Sequence, residues 1–219
     1  FMSIQYIKGV GPKRAAKLRR LNIHTVEDLL YFVPREYDDR TNFKYISQCR
    51  VDEKASLNVE VSGYPSKIRP RKNLSILKIP VKDKSGYANL VWFNQDFMAD
   101  RLSIGDIIFV NGKVNRFGNE IQIVNPVLEK EKGKRIGRII PIYPLTENLT
   151  NNEMINIMTN AIKDYGSKLP EILPDYLREE LNLIPIQEAI FNIHFPKNKE
   201  YYIKARKRLV FEELLTLQL

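Results

Sequence analysis

One cysteine among 219 residues leaves no internal disulfide and no Cys-rich zinc site. The two histidines, His24 and His194, are too distant in sequence to suggest a His-built metal site, and both read as structural. No run of about 18 apolar residues occurs, so no transmembrane-helix signal is present. The first residues also lack the apolar stretch of a signal peptide, which makes a cytoplasmic protein the expectation. Catalytic signatures are absent as well: there is no G-x-x-x-x-G-K-[ST] phosphate loop, no G-x-S-x-G, no H-E-x-x-H and no C-x-x-C. What the chain does have is 43% hydrophobic and 28% charged residues, which excludes wholesale disorder. Its length suits one or two domains.

Lys and Arg number 35 against 26 Asp and Glu, a formal charge of +9, which fits a polyanionic partner. The excess is uneven. Residues 1–48 carry nine basic and five acidic side chains, and residues 49–128 carry twelve and eight. Residues 129–219 are nearly balanced, with fourteen and thirteen. Nucleic-acid contacts are therefore expected in the first two segments.

The same three segments differ in period. Residues 1–48 read as helical: Pro12 suits the first position of a helix, and Thr25 caps a second one carrying Val26, Leu29, Leu30 and Val33, ended by Pro34. Residues 49–128 alternate. Leu57, Val59 and Val61 face one way, and further strands fall at residues 76–81, 87–93, 107–110 and 121–124, with a short helix at 95–102. Three strands, a helix and two strands is the order of a five-stranded OB-fold barrel, so the fold class is α+β. Residues 129–219 return to helix. They open with a charged linker at 129–138, then a capping box, Thr150-Asn151-Asn152-Glu153, then short helices near 174–182 and 185–194 and a last helix from about Tyr201. The helical pattern runs to the last residue without Gly or Pro, and the chain is expected to be a fragment of a longer one.

Three places carry candidate chemistry. Gly9-Val10-Gly11-Pro12-Lys13-Arg14-Ala15-Ala16-Lys17 resembles half of a helix-hairpin-helix. There glycines let backbone amides approach a phosphate, and Lys13, Arg14 and Lys17 add charge. The plainer alternative is a capping turn with a solvated basic face. Lys67, Arg69, Arg71 and Lys72 lie in the connection between the first two barrel strands, and Arg116 with Phe117 lies in the last barrel turn. Basic loops with an aromatic suit single-strand tracking with base stacking, or are simply solvated surface. Trp92-Phe93-Asn94-Gln95-Asp96-Phe97 places rings at the junction of strand and helix, as stacking platforms or as core. Cys49 reads as a small core residue. Lys204-Ala205-Arg206-Lys207-Arg208 reads as a basic helix face, solvated or in contact with DNA or a neighbouring domain.

Ile7-Lys8-Gly9-Val10-Gly11-Pro12-Lys13, Asp28-Leu29-Leu30 and Pro34-Arg35-Glu36-Tyr37-Asp38-Asp39-Arg40 together resemble the N-terminal part of the RecG family of bacterial ATP-dependent DNA helicases. Trp92-Phe93-Asn94-Gln95 resembles the family's wedge domain. The similarity continues through Pro141-Ile142-Tyr143-Pro144-Leu145-Thr146, Ile193-His194-Phe195-Pro196 and Phe211-Glu212-Glu213-Leu214-Leu215. The resemblance implies a DNA-binding wedge of a helicase that remodels stalled replication forks and Holliday junctions in DNA repair and recombination. It implies aromatic stacking at the branch point by the matching Phe93 and Phe97. It also implies that ATP and Mg2+ belong to helicase domains beyond this sequence, with no cofactor or metal in it. The partners implied are branched DNA, those helicase domains and single-stranded DNA-binding protein, in a nucleoid-associated bacterial protein without a membrane. The sequence departs from the family pattern at Asn148, where Gly is expected. Two rival functions use the same barrel: a stand-alone single-strand-binding protein, and a module docking the acidic tail of single-stranded DNA-binding protein.

Overall fold

The computed structural model describes residues 2–130 and 136–218. Along the chain the elements are α1 (Pro12–Arg19), α2 (Val26–Leu30), β1 (Glu36–Asp39), β2 (Phe43–Lys44), β3 (Lys54–Val61), β4 (Ser66–Arg71), β5 (Leu74–Asp83), β6 (Gly86–Phe93), β7 (Ile107–Phe117), β8 (Glu120–Glu129), β9 (Ile139–Ile142), α3 (Asn151–Tyr165), α4 (Asp175–Glu180), α5 (Ile186–His194) and α6 (Lys199–Gln218). A short 3-10 helix, Asp96–Arg101, follows β6. The chain divides into two compact units, Asp39–Arg138 and Phe1–Asp38 with Ile139–Leu219. Of the linker expected at residues 129–138, residues 131–135 lie outside the described residues.

The first unit is the barrel. Its sheet runs β2-β3-β7-β8-β6-β5-β4, and β3 also pairs with β5 at Glu60↔Lys82 and Val61↔Val81. That short pairing brings the five long strands back to their first member in the OB order. Period-two alternation aims Leu57, Val59, Val61, Leu77, Ile79, Val81, Ala88, Leu90, Trp92, Ile108, Val110, Val114 and Ile123 into one core. Met98 and Leu102 on and after the 3-10 helix complete it. β7 bends through a register shift between Asn111 and Lys113. A Cβ on the intervening Gly112 would sit 2.7 Å from Ile123 and 3.1 Å from Pro126, so only glycine lets the two strands pack this closely.

The expected connection at residues 67–73 is instead a strand. β4 pairs antiparallel with β5 and is exposed at every residue, and residues 72–73 form the two-residue turn between them. Pro70 falls at the irregularity between Ile68 and Arg71, where a missing N–H is tolerated on an edge. Charge replaces apolar alternation in this strand, so the usual sequence signal is absent.

The second unit packs α1, α2, α3 and α5 around Leu18, Leu29, Leu30, Tyr143, Met154, Met158, Ala161, Ile186 and Ile190. Thr25 and Thr150 both make reciprocal capping boxes, with Asp28 and Glu153. α2 is shorter than expected, ending before Val33, which is exposed. β1 and β9 pair as a two-stranded sheet that the charged run at residues 35–40 did not suggest. His194 is fully buried: its Nε2 donates to the Leu30 carbonyl and its Nδ1 accepts from the Tyr143 hydroxyl, each at 2.8 Å. His24 is exposed on the surface.

The basic run on α6 is not one solvated face. Ala205 and Arg208 are fully buried, and Arg208 lies between Glu171 at 2.8 Å and Glu212. Two carboxylates make a buried guanidinium tolerable that no apolar environment would accept. Cys49 is half-buried against the barrel core, and burial pushes its thiol up to about 11.

Candidate nucleic-acid interface

The strand-to-helix turn after β6 carries the two expected stacking residues. Register places Leu77 and Trp92 in one cross-strand row and Ile68, Ile76 and Phe93 in the next. Adjacent rows face opposite ways. Trp92 is therefore inside the barrel, 1% exposed, its indole Nε1 donating to the Pro126 carbonyl at 3.3 Å. Phe93 is outside, 37% exposed, and Phe97 on the 3-10 helix is 59% exposed. Ile68 and Ile76 share the outer face with Phe93. They form an apolar strip across three strands that sequence reading missed, because β4 was not legible as a strand.

Both rings project from a fixed backbone. Phe93 lies between buried Trp92 and Asn94, and Phe97 between Asp96 and buried Met98. Ser75 on β5 anchors the polar neighbours. Its N–H donates to the Asn94 side-chain carbonyl, and its carbonyl accepts from the Asn94 N–H, each at 2.9 Å. Its hydroxyl donates to Asp96 Oδ1. Asn94 holds φ of 55°, a left-handed conformation that Asn tolerates better than most residues. The Phe93 N–H donates to the Asn125 side chain at 3.2 Å.

Asp96 also gathers the cations of β4. Its Oδ2 accepts from Lys67 and lies 3.4 Å from the Arg69 guanidinium. The Lys67 ammonium, with help from Ser75 and Arg69, holds the Asp96 carboxyl below the usual carboxylate range. Arg71 and Lys72, at the tip of this hairpin, are exposed and have no ion pair among the described residues. Arg116 lies near the tip of the β7–β8 hairpin, beside Phe117, which is 70% exposed. Gly118 there has φ of 60°, as a two-residue hairpin turn requires. Lys78 stands 5.6 Å over the Phe117 ring.

The helix-hairpin-helix-like turn belongs to the other unit. Gly9 adopts φ of 90°, reachable at little cost only by glycine. Arg14 donates to the Gly9 carbonyl at 2.8 Å and pairs with Glu153 at 3.4 Å, and Lys17 donates to the Asn148 carbonyl. These two cations tie α1 to the start of α3, whereas Lys13 is exposed without an ion pair among the described residues. Asn148 itself has φ of 60°, so the departure from the expected Gly preserves the left-handed turn.

A barrel with exposed rings on an anchored turn beside a basic edge hairpin is what the comparisons with known proteins meet. A sequence model described as the RecG wedge domain matches residues 3–164. This chain belongs to the RecG wedge-domain family. It is 36% identical over 220 residues to the ATP-dependent DNA helicase RecG of Thermotoga maritima, covering 99% of this chain and 28% of that protein. It is 30% identical over 217 residues to the RecG of Bacillus subtilis, covering 99% of this chain and 31% of that one. A solved structure of RecG bound to a three-way DNA junction superposes with a TM-score of 0.88 at 34% identity, covering all of this chain and 30% of that one. The chain thus spans about a third or less of the length of these RecG relatives.

Proposed function

We propose that this chain is the branched-DNA-binding wedge of a RecG-type helicase, with Phe93 and Phe97 capping the base pairs exposed at the branch point. The observation that carries the reading is the pair of exposed rings whose neighbours on both sides are fixed. A ring carried on a held backbone loses little backbone freedom on stacking, and base–aromatic stacking contributes roughly 1–3 kcal/mol per base whatever the sequence. The 34% identical RecG relative bound to a three-way junction supports branched DNA as the ligand. Arg71, Lys72 and Arg116 are assigned to phosphates around the barrel. Lys13 and the amides after Gly11 are assigned to a further phosphate contact.

Strand separation at stalled forks and Holliday junctions, in repair and recombination of the bacterial chromosome, is the role this reading gives the whole protein. ATP and Mg2+ are the cofactors that this reading gives the whole protein. The 219 residues contain no phosphate loop followed by Lys and Ser or Thr, and among the described residues no cluster of three or more His, Cys, Asp or Glu is placed to hold a metal. The proposal assigns both to the part of the longer relatives that this chain does not span.

Binding of the 219-residue chain to a three-strand model fork, a Holliday junction, a linear duplex and a single strand tests the proposal. Tighter binding to the branched substrates, lost with Phe93→Ala plus Phe97→Ala, is expected. Equal affinity for a plain single strand and a fork would favour a stand-alone single-strand-binding protein instead. Capture of an acidic peptide with no DNA preference would favour a docking module for the tail of single-stranded DNA-binding protein.

A further inference from the structure

We infer that Asp96 is a positioning residue that sets the preference for branched over unbranched DNA, by holding Lys67 and Arg69 away from phosphates and placing a negative charge on the turn that carries both stacking rings. The inference rests on the wedge reading.

Every contact of Asp96 supports this role. It follows Gln95 at the start of the 3-10 helix, one residue before Phe97 and three after Phe93. One carboxylate oxygen accepts from Ser75, the residue that also clamps Asn94. The other oxygen takes both Lys67 and Arg69. Two of the four cations on β4 and its turn are thereby neutralised by the stacking turn, while Arg71 and Lys72 remain unpaired among the described residues at the hairpin tip. A surface meant only to attract DNA would not place a carboxylate there, because it repels the phosphates that Lys67 and Arg69 would otherwise attract.

The arrangement separates two sources of affinity. The free cations at the hairpin tip bind any duplex. At the rings, an unbranched duplex offers only phosphates and meets Asp96, whereas a branch point offers the unstacked face of a base pair and meets Phe93 and Phe97. Specificity of this kind comes from a repulsive element placed against the wrong ligand. The carboxylate also fixes β4 to the stacking turn, so that Arg71 and Lys72 keep a set register with the rings.

Asp96→Asn tests this directly. Asparagine retains an oxygen for the Ser75 hydroxyl but loses the charge that retains Lys67 and Arg69. Affinity for a linear duplex should rise, and the magnitude of its log–log salt slope should grow by up to about 1.8, two contacts at about 0.9 each. Preference for a three-strand model fork over that duplex should fall severalfold, with the melting temperature nearly unchanged. Asp96→Glu should restore both the slope and the preference. An unchanged slope and preference would overturn the inference. So would a uniform loss of affinity for all DNA, or a lower melting temperature that Glu fails to restore, either of which makes Asp96 merely structural. A parent chain without fork preference, indifferent to Phe93→Ala plus Phe97→Ala, overturns the wedge reading and this inference with it. A parent with that preference and an Asn variant that keeps it overturns this inference alone.

Discussion

Trp92 and Phe93 are consecutive on β6 and point to opposite sides of the barrel wall, one 1% and the other 37% exposed. The strand pleat makes the opposite directions obligatory, and the exposure of Phe93 marks where its face is left uncovered, since Val91 on the same face is 2% exposed. It also separates stability from binding between two neighbouring aromatic residues.

Phe93→Ala plus Phe97→Ala should weaken fork binding and leave the melting temperature nearly unchanged, since neither ring is in the core. Trp92→Ala should do the reverse, costing roughly 3–5 kcal/mol as a large-to-small core change and leaving the Pro126 carbonyl without its donor. Thermal melts and fork titrations on the same preparations distinguish the two. Unfolding of the double variant would show that the rings support the fold.

Asn94 should be the most sensitive polar residue of the turn. Its left-handed backbone is strained for alanine, and its side chain answers the Ser75 N–H. Asn94→Ala should therefore cost on the order of 1–3 kcal/mol in all, from a left-handed backbone that alanine tolerates less well than Asn together with the lost bond to Ser75. Asn94→Gly relieves the backbone but removes the side-chain bond. It should cost less in urea unfolding while still loosening Phe93 and weakening fork binding. Equal destabilisation by both variants would assign the whole effect to the hydrogen bond.

The barrel was legible because its core obeys a simple period. Leu57, Val59 and Val61 alternate with Asn58 and Glu60, so one face of that strand had to be inside, while β6 repeats the period through Ala88, Leu90 and Trp92 but also buries Val91 on its other face. β4 escaped notice because charge and Pro70 replace alternation along an exposed edge. Periodicity alone placed Trp92 and Phe93 on opposite faces without saying which was inside; the family resemblance supplied the direction. The long-range partners of Asp96 and Arg208 were not legible for a different reason. Arg69 is 27 residues before Asp96, and Glu171 is 37 before Arg208, so only the folded chain brings them together. Arg14 and Lys17 look like free cations in sequence because the acceptors that hold them lie on and beside α3.

Salt dependence should identify which cations meet phosphate. Arg71→Ala and Lys72→Ala should each reduce the magnitude of the duplex log–log salt slope by about 0.9, or about 0.7 on a single strand. Arg14→Ala should leave the slope nearly unchanged and lower the melting temperature instead, because its guanidinium is occupied by Gly9 and Glu153. A slope change with Arg14→Ala and none with Arg71→Ala would move the duplex contact from the barrel to the helical unit.

The helical unit should also lose stability in mild acid. His194 is buried as a neutral ring, with Nε2–H given to Leu30 and Nδ1 accepting from Tyr143, so protonation removes an acceptor and buries a charge. Burial accordingly lowers its pKa from 6.5 to about 4. The unfolded chain binds this proton first. The stabilisation is therefore complete above about pH 6.5, declines as pH falls from there, and is gone below about pH 4, a loss on the order of 3 kcal/mol in all. Hydrogen-bonded carboxylates whose pKa is lowered, such as Asp28 and Glu171, contribute a further loss only as pH falls through the usual carboxylate range and below it. Between pH 7 and pH 5.5 the histidine should dominate. Urea unfolding across that window should show stability falling with pH in the parent, and a flatter profile in His194→Gln despite its lower overall stability. A parent profile that stays flat from pH 7 to 5.5 would mean the ring is protonated in the folded chain, against the hydrogen-bond pattern that surrounds it.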